Sequence, residues 1–79
     1  MASKKHPNLI KFGQTIRRER LEKDISQEDL AARAGLHRNY VGALERGEYN
    51  MRLLVILKLT EALEVQPSAL LRIFDEGYS

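Results

Sequence analysis

The stretch from Ser26 to Arg46, SQEDLAARAGLHRNYVGALER, reads as two short helices meeting at a glycine. Gln27 opens the first helix, and Ala31 follows one turn later, where a close helix–helix crossing needs a small side chain. Gly35 supplies the turn. Val41 and Leu44 lay the apolar face of the second helix back onto the first. Together these five separated positions spell the helix-turn-helix pattern.

Working outward, Ser26 is placed to cap the first of these helices. Asp29 three residues later resembles a capping box with a shortened acid. Glu28 and Asp29 also suit the positive end of the helix dipole. Leu30, Ala31 and Ala34 form the buried side of this helix, which stops at Gly35. The next helix is predicted from about His37 to Arg46, ending at Gly47, where a positive φ is available. Upstream, Pro7 and Asn8 start a helix whose Leu9, Phe12, Ile16 and Arg20 recur on one face, with Asp24 as its stop. Downstream, GEYN (47–50) is a polar turn. Helix 4 is predicted over roughly Arg52 to Leu63, with Leu53, Ile56, Thr60 and Leu63 on its core stripe and Leu54, Val55, Leu57 and Leu59 in excess. Pro67 and Ser68 begin a last short helix carrying Leu70, Leu71 and Phe74. No segment reads as a strand. The expected fold is all-α and compact: five helices, the helix-turn-helix being helices 2 and 3. Residues 1–7 form a basic N-terminal tail, and 8–76 a single domain.

Composition narrows the function. Seventy-nine residues make one domain with a thin core, which pairing with a second copy would reinforce. The absence of cysteine removes disulfides, thiolate zinc sites and a cysteine nucleophile. No run approaches the roughly 18 apolar residues of a membrane span, and MASKKHPN lacks the apolar segment of a signal peptide, so a cytoplasmic protein is expected. Neither catalysis, nor a cofactor, nor a metal is expected. There are only two histidines, no converging carboxylate pair and no glycine-rich phosphate loop, and Ser26 is accounted for as a cap. Charge is uneven: residues 1–23 carry a net +5 and the remainder −3. Such asymmetry points to a polyanion partner, against the plainer alternative of a solvated helix face.

In a helix-turn-helix the second helix lies in the DNA major groove, and its first residues reach base edges. Arg38 offers a planar fork for guanine, Asn39 an amide for adenine, and His37 a donor or acceptor for either. Tyr40 can pack at the turn while its hydroxyl reaches outward. These four are the candidate base readers; the plainer alternative is an ordinary polar helix start. Candidate phosphate contacts are Gln27 at a helix N-terminus, Arg46, Asn50 and Arg52 around the turn after helix 3, and Arg17 in the basic first segment. Each basic residue among them could equally be surface charge. Glu45 differs, because phosphate would repel it. Arg20 continues the buried stripe of helix 1, so the two are expected to form a structural ion pair.

The segments IRRERLEKDISQEDLAARAGLHRNYVGALERGEYN and LTEALEVQPSALL resemble the Xre, or phage-repressor, family of helix-turn-helix regulators, over about residues 9–71. Within it, LHRNYVGALERG is most similar to the controller proteins of restriction–modification systems. That resemblance implies a lambda-repressor-like domain, a homodimer joined through its C-terminal region, and paired palindromic operators controlling its own gene and the endonuclease gene. It also implies that Gln27 contacts phosphate, that residues 37–40 face the groove, and that Arg20 and Glu45 pair. The chain departs from the pattern in four places. Arg52 stands where a Ser or Thr cap is common, Glu64 where a glycine is common, Glu19 at an apolar position, and Tyr49 at a position some controller proteins give to a basic residue.

Leu54, Val65, Leu71 and Phe74 exceed what one thin core absorbs and are the candidate dimer surface, with completion of the monomer core as the alternative. The expected partners are therefore double-stranded DNA carrying a palindromic operator, a second copy of the chain and, as a further candidate, RNA polymerase. A prophage-type repressor, or an antitoxin or adaptor acting through a protein partner, is the competing function. The short DEGYS after Phe74 favours the regulator over the antitoxin.

Overall fold

A computed structural model of the chain describes the backbone of residues 5–78 and the side chains of residues 5–75. Residues 1–4 of the basic tail lie outside the described residues. Within this range the regular structure is helical: α1 (Pro7–Glu22), α2 (Gln27–Ala34), α3 (Arg38–Glu45), α4 (Leu53–Leu63), α5 (Pro67–Leu71) and a 3₁₀-helix over Arg72–Tyr78.

Local chemistry sets the helix ends. The Asn8 N–H donates to Nδ1 of His6 at 3.0 Å, and Pro7 takes the first helical position, where its missing N–H costs nothing. The helix thus begins at Pro7. At its far end Asp24 adopts φ 59°, the left-handed geometry that Asp tolerates better than most residues. The Ser26 hydroxyl accepts the Asp29 N–H at 3.0 Å, starting α2. Gly35 closes α2 at φ 69°, and the Leu36 N–H reaches back to the Ala31 carbonyl at 2.8 Å.

The core sits where all five helices converge. Ile16, Leu30, Val41, Leu44, Leu59, Leu63 and Leu70 are each 1% exposed or less. Burying each contributes roughly 1.5–3 kcal/mol. α1 packs on α3, α2 on both α3 and α4, and α5 on α1 and α4. The α1–α3 approach is close enough to exclude a side chain. A Cβ at Gly13 would collide with the carbonyl oxygens of Leu44 and Glu45, both backbone atoms that cannot swing aside.

In α4 the packing corrects the expected stripe. Leu53 is 66% exposed, whereas Leu59, expected in excess, is fully buried with Thr60, Ala62 and Leu63. Leu53 and Leu54 at the start of α4 face solvent, Val55 and Ile56 pack partly buried against the core, and the inward face is centred on Leu59 and Leu63. Arg52 is the N-cap of this helix and makes no side-chain capping bond; Asn50 does not replace it. Glu64 ends α4 at φ 59°, a conformation that suits glycine better.

Candidate nucleic-acid interface

The site is built on a buried charge pair. Arg20 Nε donates to Glu45 Oε2 at 2.7 Å and Arg20 Nη2 to Oε1 at 3.1 Å, while Nη1 donates to the Ile25 carbonyl at 3.0 Å. Both residues are over nine-tenths buried. Charges taken out of water destabilise a fold unless every donor and acceptor is met. No buried side-chain nitrogen or oxygen among the described residues lacks a partner. The pair ties α1 to the C-terminal end of α3. Its carboxylate does one thing more: Glu45 Oε1 also accepts from Nε2 of Gln27 at 3.0 Å. The first side chain of α2 is thereby held against α3.

That tether assembles a surface. Arg38, Gly42 and Arg46 recur every four residues along α3, hence on one face. With Asn39 and Gln27 they line a polar hollow of about 240 Å³. Two candidate base readers and two candidate phosphate contacts thus meet at one place, drawn from two helices. Arg46 is further held by Glu48, with Nε to Oε2 at 2.7 Å and Nη2 to Oε1 at 3.2 Å, and Lys5 stands 3.9 Å from the same carboxylate. Accepting these bonds from Arg46 lowers the Glu48 carboxyl from its ordinary value and raises the guanidinium of Arg46 from its own.

A helix-turn-helix family profile matches residues 16–70. Control protein C.BamHI of Bacillus amyloliquefaciens is 49% identical over 61 residues, spanning 76% of this chain and 75% of that protein. The crystal structure of the restriction-modification controller protein C.AhdI from Aeromonas hydrophila superposes with a TM-score of 0.81 at 49% identity, covering 82% of this chain and 98% of that one. The chain belongs to the helix-turn-helix controller-protein family. A further solved relative, C.Esp1396I bound to a 19 base pair DNA duplex, matches with a TM-score of 0.81 at 30% identity over 90% of this chain and 95% of that one.

Against this family background the remaining candidates fall in distinct places. His37 is the N-cap of α3, and its Nδ1 accepts the Asn39 N–H at 3.1 Å. Only its Nε2 is left for a partner. Tyr40 is half-buried, its ring 5.6 Å from that of Tyr49. Asn50 and Arg52 are exposed beyond the turn and do not line the hollow. Arg17 is exposed on α1, where it lines a separate hollow with Gln14, Arg18, Leu21 and Glu22.

The candidate dimer residues divide as well. Leu54 is 70% and Leu71 42% exposed. Val65 and Phe74 instead pack partly buried against the core, Phe74 stacking at 6.2 Å on Phe12 with the Lys11 ammonium 5.7 Å from its ring centre. The C-terminal segment is thus seated by Phe74, which cannot also serve as a wholly free contact. Among the described residues no group of three His, Asp or Glu side chains stands close enough to hold a metal ion, and no helix is long and apolar enough to cross a membrane.

Sequence reasoning passed over Gly42 and Glu48. Gly42 does carry a signal: an isolated glycine inside a helical pattern costs about 1 kcal/mol relative to alanine and so calls for a packing or functional reason. Glu48, in a turn read simply as polar, carries none.

Proposed function

We propose that the chain is a sequence-specific transcription regulator that binds a palindromic operator as a homodimer and controls a restriction–modification system in the cytoplasm. α3 enters the major groove with Arg38 and Asn39 on base edges, the Nε2 of His37 beside them, and the Tyr40 hydroxyl at the margin. Gln27 and Arg46 hold phosphate on either side of Gly42. Arg52, Asn50 and Arg17 add outer phosphate contacts. Arg20 and Glu45 read nothing; they fix the angle of α3 and hold the Gln27 amide.

The observation that carries this reading is the shared hollow: Gln27 from α2 and Arg38, Asn39 and Arg46 from α3 converge on one polar surface. Planar, multidentate donors gathered on one helix face suit base edges flanked by phosphates. The relative C.Esp1396I, bound to a 19 base pair duplex, adds a fold-level precedent. The homodimer reading rests on Leu54 and Leu71, together with Leu53 and Leu57, all at least 40% exposed on α4 and α5. A twofold axis there would separate two recognition helices by about 34 Å, one turn of DNA.

Selection from a random-sequence duplex pool by the purified protein tests the proposal. Enriched duplexes should carry an inverted repeat with half-sites about one helical turn apart. Failure to enrich any sequence would contradict it.

A further inference from the structure

Gly42 sits at the middle of α3 yet is neither a turn nor a backbone contact. The residue is buried, and the polar ends of two side chains lie over it. A Cβ built there would stand 3.2 Å from Arg46 Nη1, 3.4 Å from Gln27 Oε1 and 3.7 Å from Gln27 Nε2. No backbone atom outside its own helix is among these nearest neighbours, in contrast to Gly13. The fold therefore has no need of a glycine at this position, and helix formation opposes one. What the missing side chain leaves is room for the two polar ends to settle over the helix.

We propose that Gly42 is a positioning residue for DNA binding: the missing Cβ lets the Gln27 amide and the Arg46 guanidinium lie together over α3, poised for the phosphates that flank the groove. Both ends are already steered by acceptors, Gln27 by Glu45 at 3.0 Å and Arg46 by Glu48 at 2.7 Å. A methyl there pushes the Arg46 guanidinium outward by a few tenths of an ångström and fills the space beside the Gln27 amide at van der Waals contact, which a flexible side chain tolerates and an aligned contact to phosphate does not. The inference rests on Gln27 and Arg46 contacting phosphate.

The consequence is a substitution with opposite effects on folding and on function. Gly42→Ala should raise the Tm by a few degrees, because alanine favours the helix interior. It should weaken DNA binding about tenfold, equally for selected and random duplexes, since phosphate contacts carry no sequence information. The salt dependence of log K should flatten by up to about one unit per protomer through Arg46 alone, Gln27 being uncharged. Gly42→Leu should weaken binding further and should lower the Tm below that of Gly42→Ala, because its larger side chain displaces Gln27 from Glu45.

The experiment measures fluorescence-anisotropy titrations at several salt concentrations for wild type, Gly42→Ala, Gly42→Leu, Gln27→Ala/Arg46→Ala, and that double variant with Gly42→Ala added. Both a duplex selected by the wild-type protein and a random duplex are used. The proposal expects the alanine at 42 to cost about tenfold in the wild-type background and nothing once Gln27 and Arg46 are gone. Unchanged binding by Gly42→Ala, or the same loss in both backgrounds, overturns it while leaving the phosphate contacts standing. No loss of affinity in Gln27→Ala/Arg46→Ala overturns both the proposal and the phosphate assignment beneath it.

Discussion

Arg20 and Glu45, 25 positions apart, meet in a buried two-pronged ion pair whose carboxylate also takes the amide of Gln27. This joins three helices through one side chain: α1 gives Arg20, α3 gives Glu45 and α2 gives Gln27. Arg20→Ala or Glu45→Ala strands the surviving charge in the core and should cost about 3–5 kcal/mol in urea denaturation. Arg20→Met combined with Glu45→Leu should recover most of that loss, because an apolar pair needs no compensating charge. The double variant should nevertheless bind DNA more weakly than wild type, since Gln27 loses its tether. A single substitution costing under about 1 kcal/mol would show that the pair is not desolvated in solution.

The Gly13 contact predicts a steep penalty for a very small change. Gly13→Ala should destabilise the fold by at least about 2 kcal/mol, because α1 must lift from the carbonyls of Leu44 and Glu45. The contrast with Gly42→Ala, also glycine to alanine within a helix, is measurable by thermal melts: one Tm falls, the other rises.

Both ends of α4 are poorly terminated. Arg52 makes no capping bond and Glu64 holds φ 59°. Arg52→Ser should add about 1 kcal/mol of stability by capping the helix. Glu64→Gly should add about as much by relieving the left-handed strain. They part in DNA binding: Arg52→Ser should flatten the salt slope by about one unit per protomer if that arginine meets phosphate, and Glu64→Gly should leave the slope unchanged. Equal slopes for the two variants would remove Arg52 from the interface.

The exposed leucines give the dimer prediction. Leu54→Glu with Leu71→Glu should leave Tm close to that of a folded monomer and shift sedimentation from dimer to monomer. Binding to a palindromic duplex should fall toward that to a single half-site. Phe74→Glu is the less discriminating variant, because Phe74 packs on Phe12 and its loss would also disturb the fold. An unchanged dimer after both leucine substitutions would relocate the interface.

The helix order and the turn at Gly35 were legible because each rests on local chemistry: a Ser cap, a glycine stop, an apolar period of three to four. The Leu30–Val41–Leu44 contact follows from the same spacing. α4 was not legible. Its run of leucines offers more than one possible stripe, and only the positions of α2 and α5 select Leu59 over Leu53. At the site, residue types named the candidate readers, but tertiary contacts decided which of them meet. Gln27 is drawn to α3 by Glu45, His37 gives a ring nitrogen to its own helix, and Arg46 is held by a turn residue with no sequence signature. Gly42 was passed over because a missing side chain looks like a missing function.

In the proposed complex α3 reads bases while Gln27 and Arg46 hold phosphate. The most direct test is titration of the wild-type protein and Arg38→Ala against selected and random duplexes over a range of salt. The wild type should lose affinity steeply with salt yet prefer the selected duplex by about 10³-fold or more. Arg38→Ala should reduce that preference by about 1–3 kcal/mol, at one base position. Equal, weak binding of the wild type to both duplexes would contradict the account. So would an Arg38→Ala variant that weakens both to the same extent.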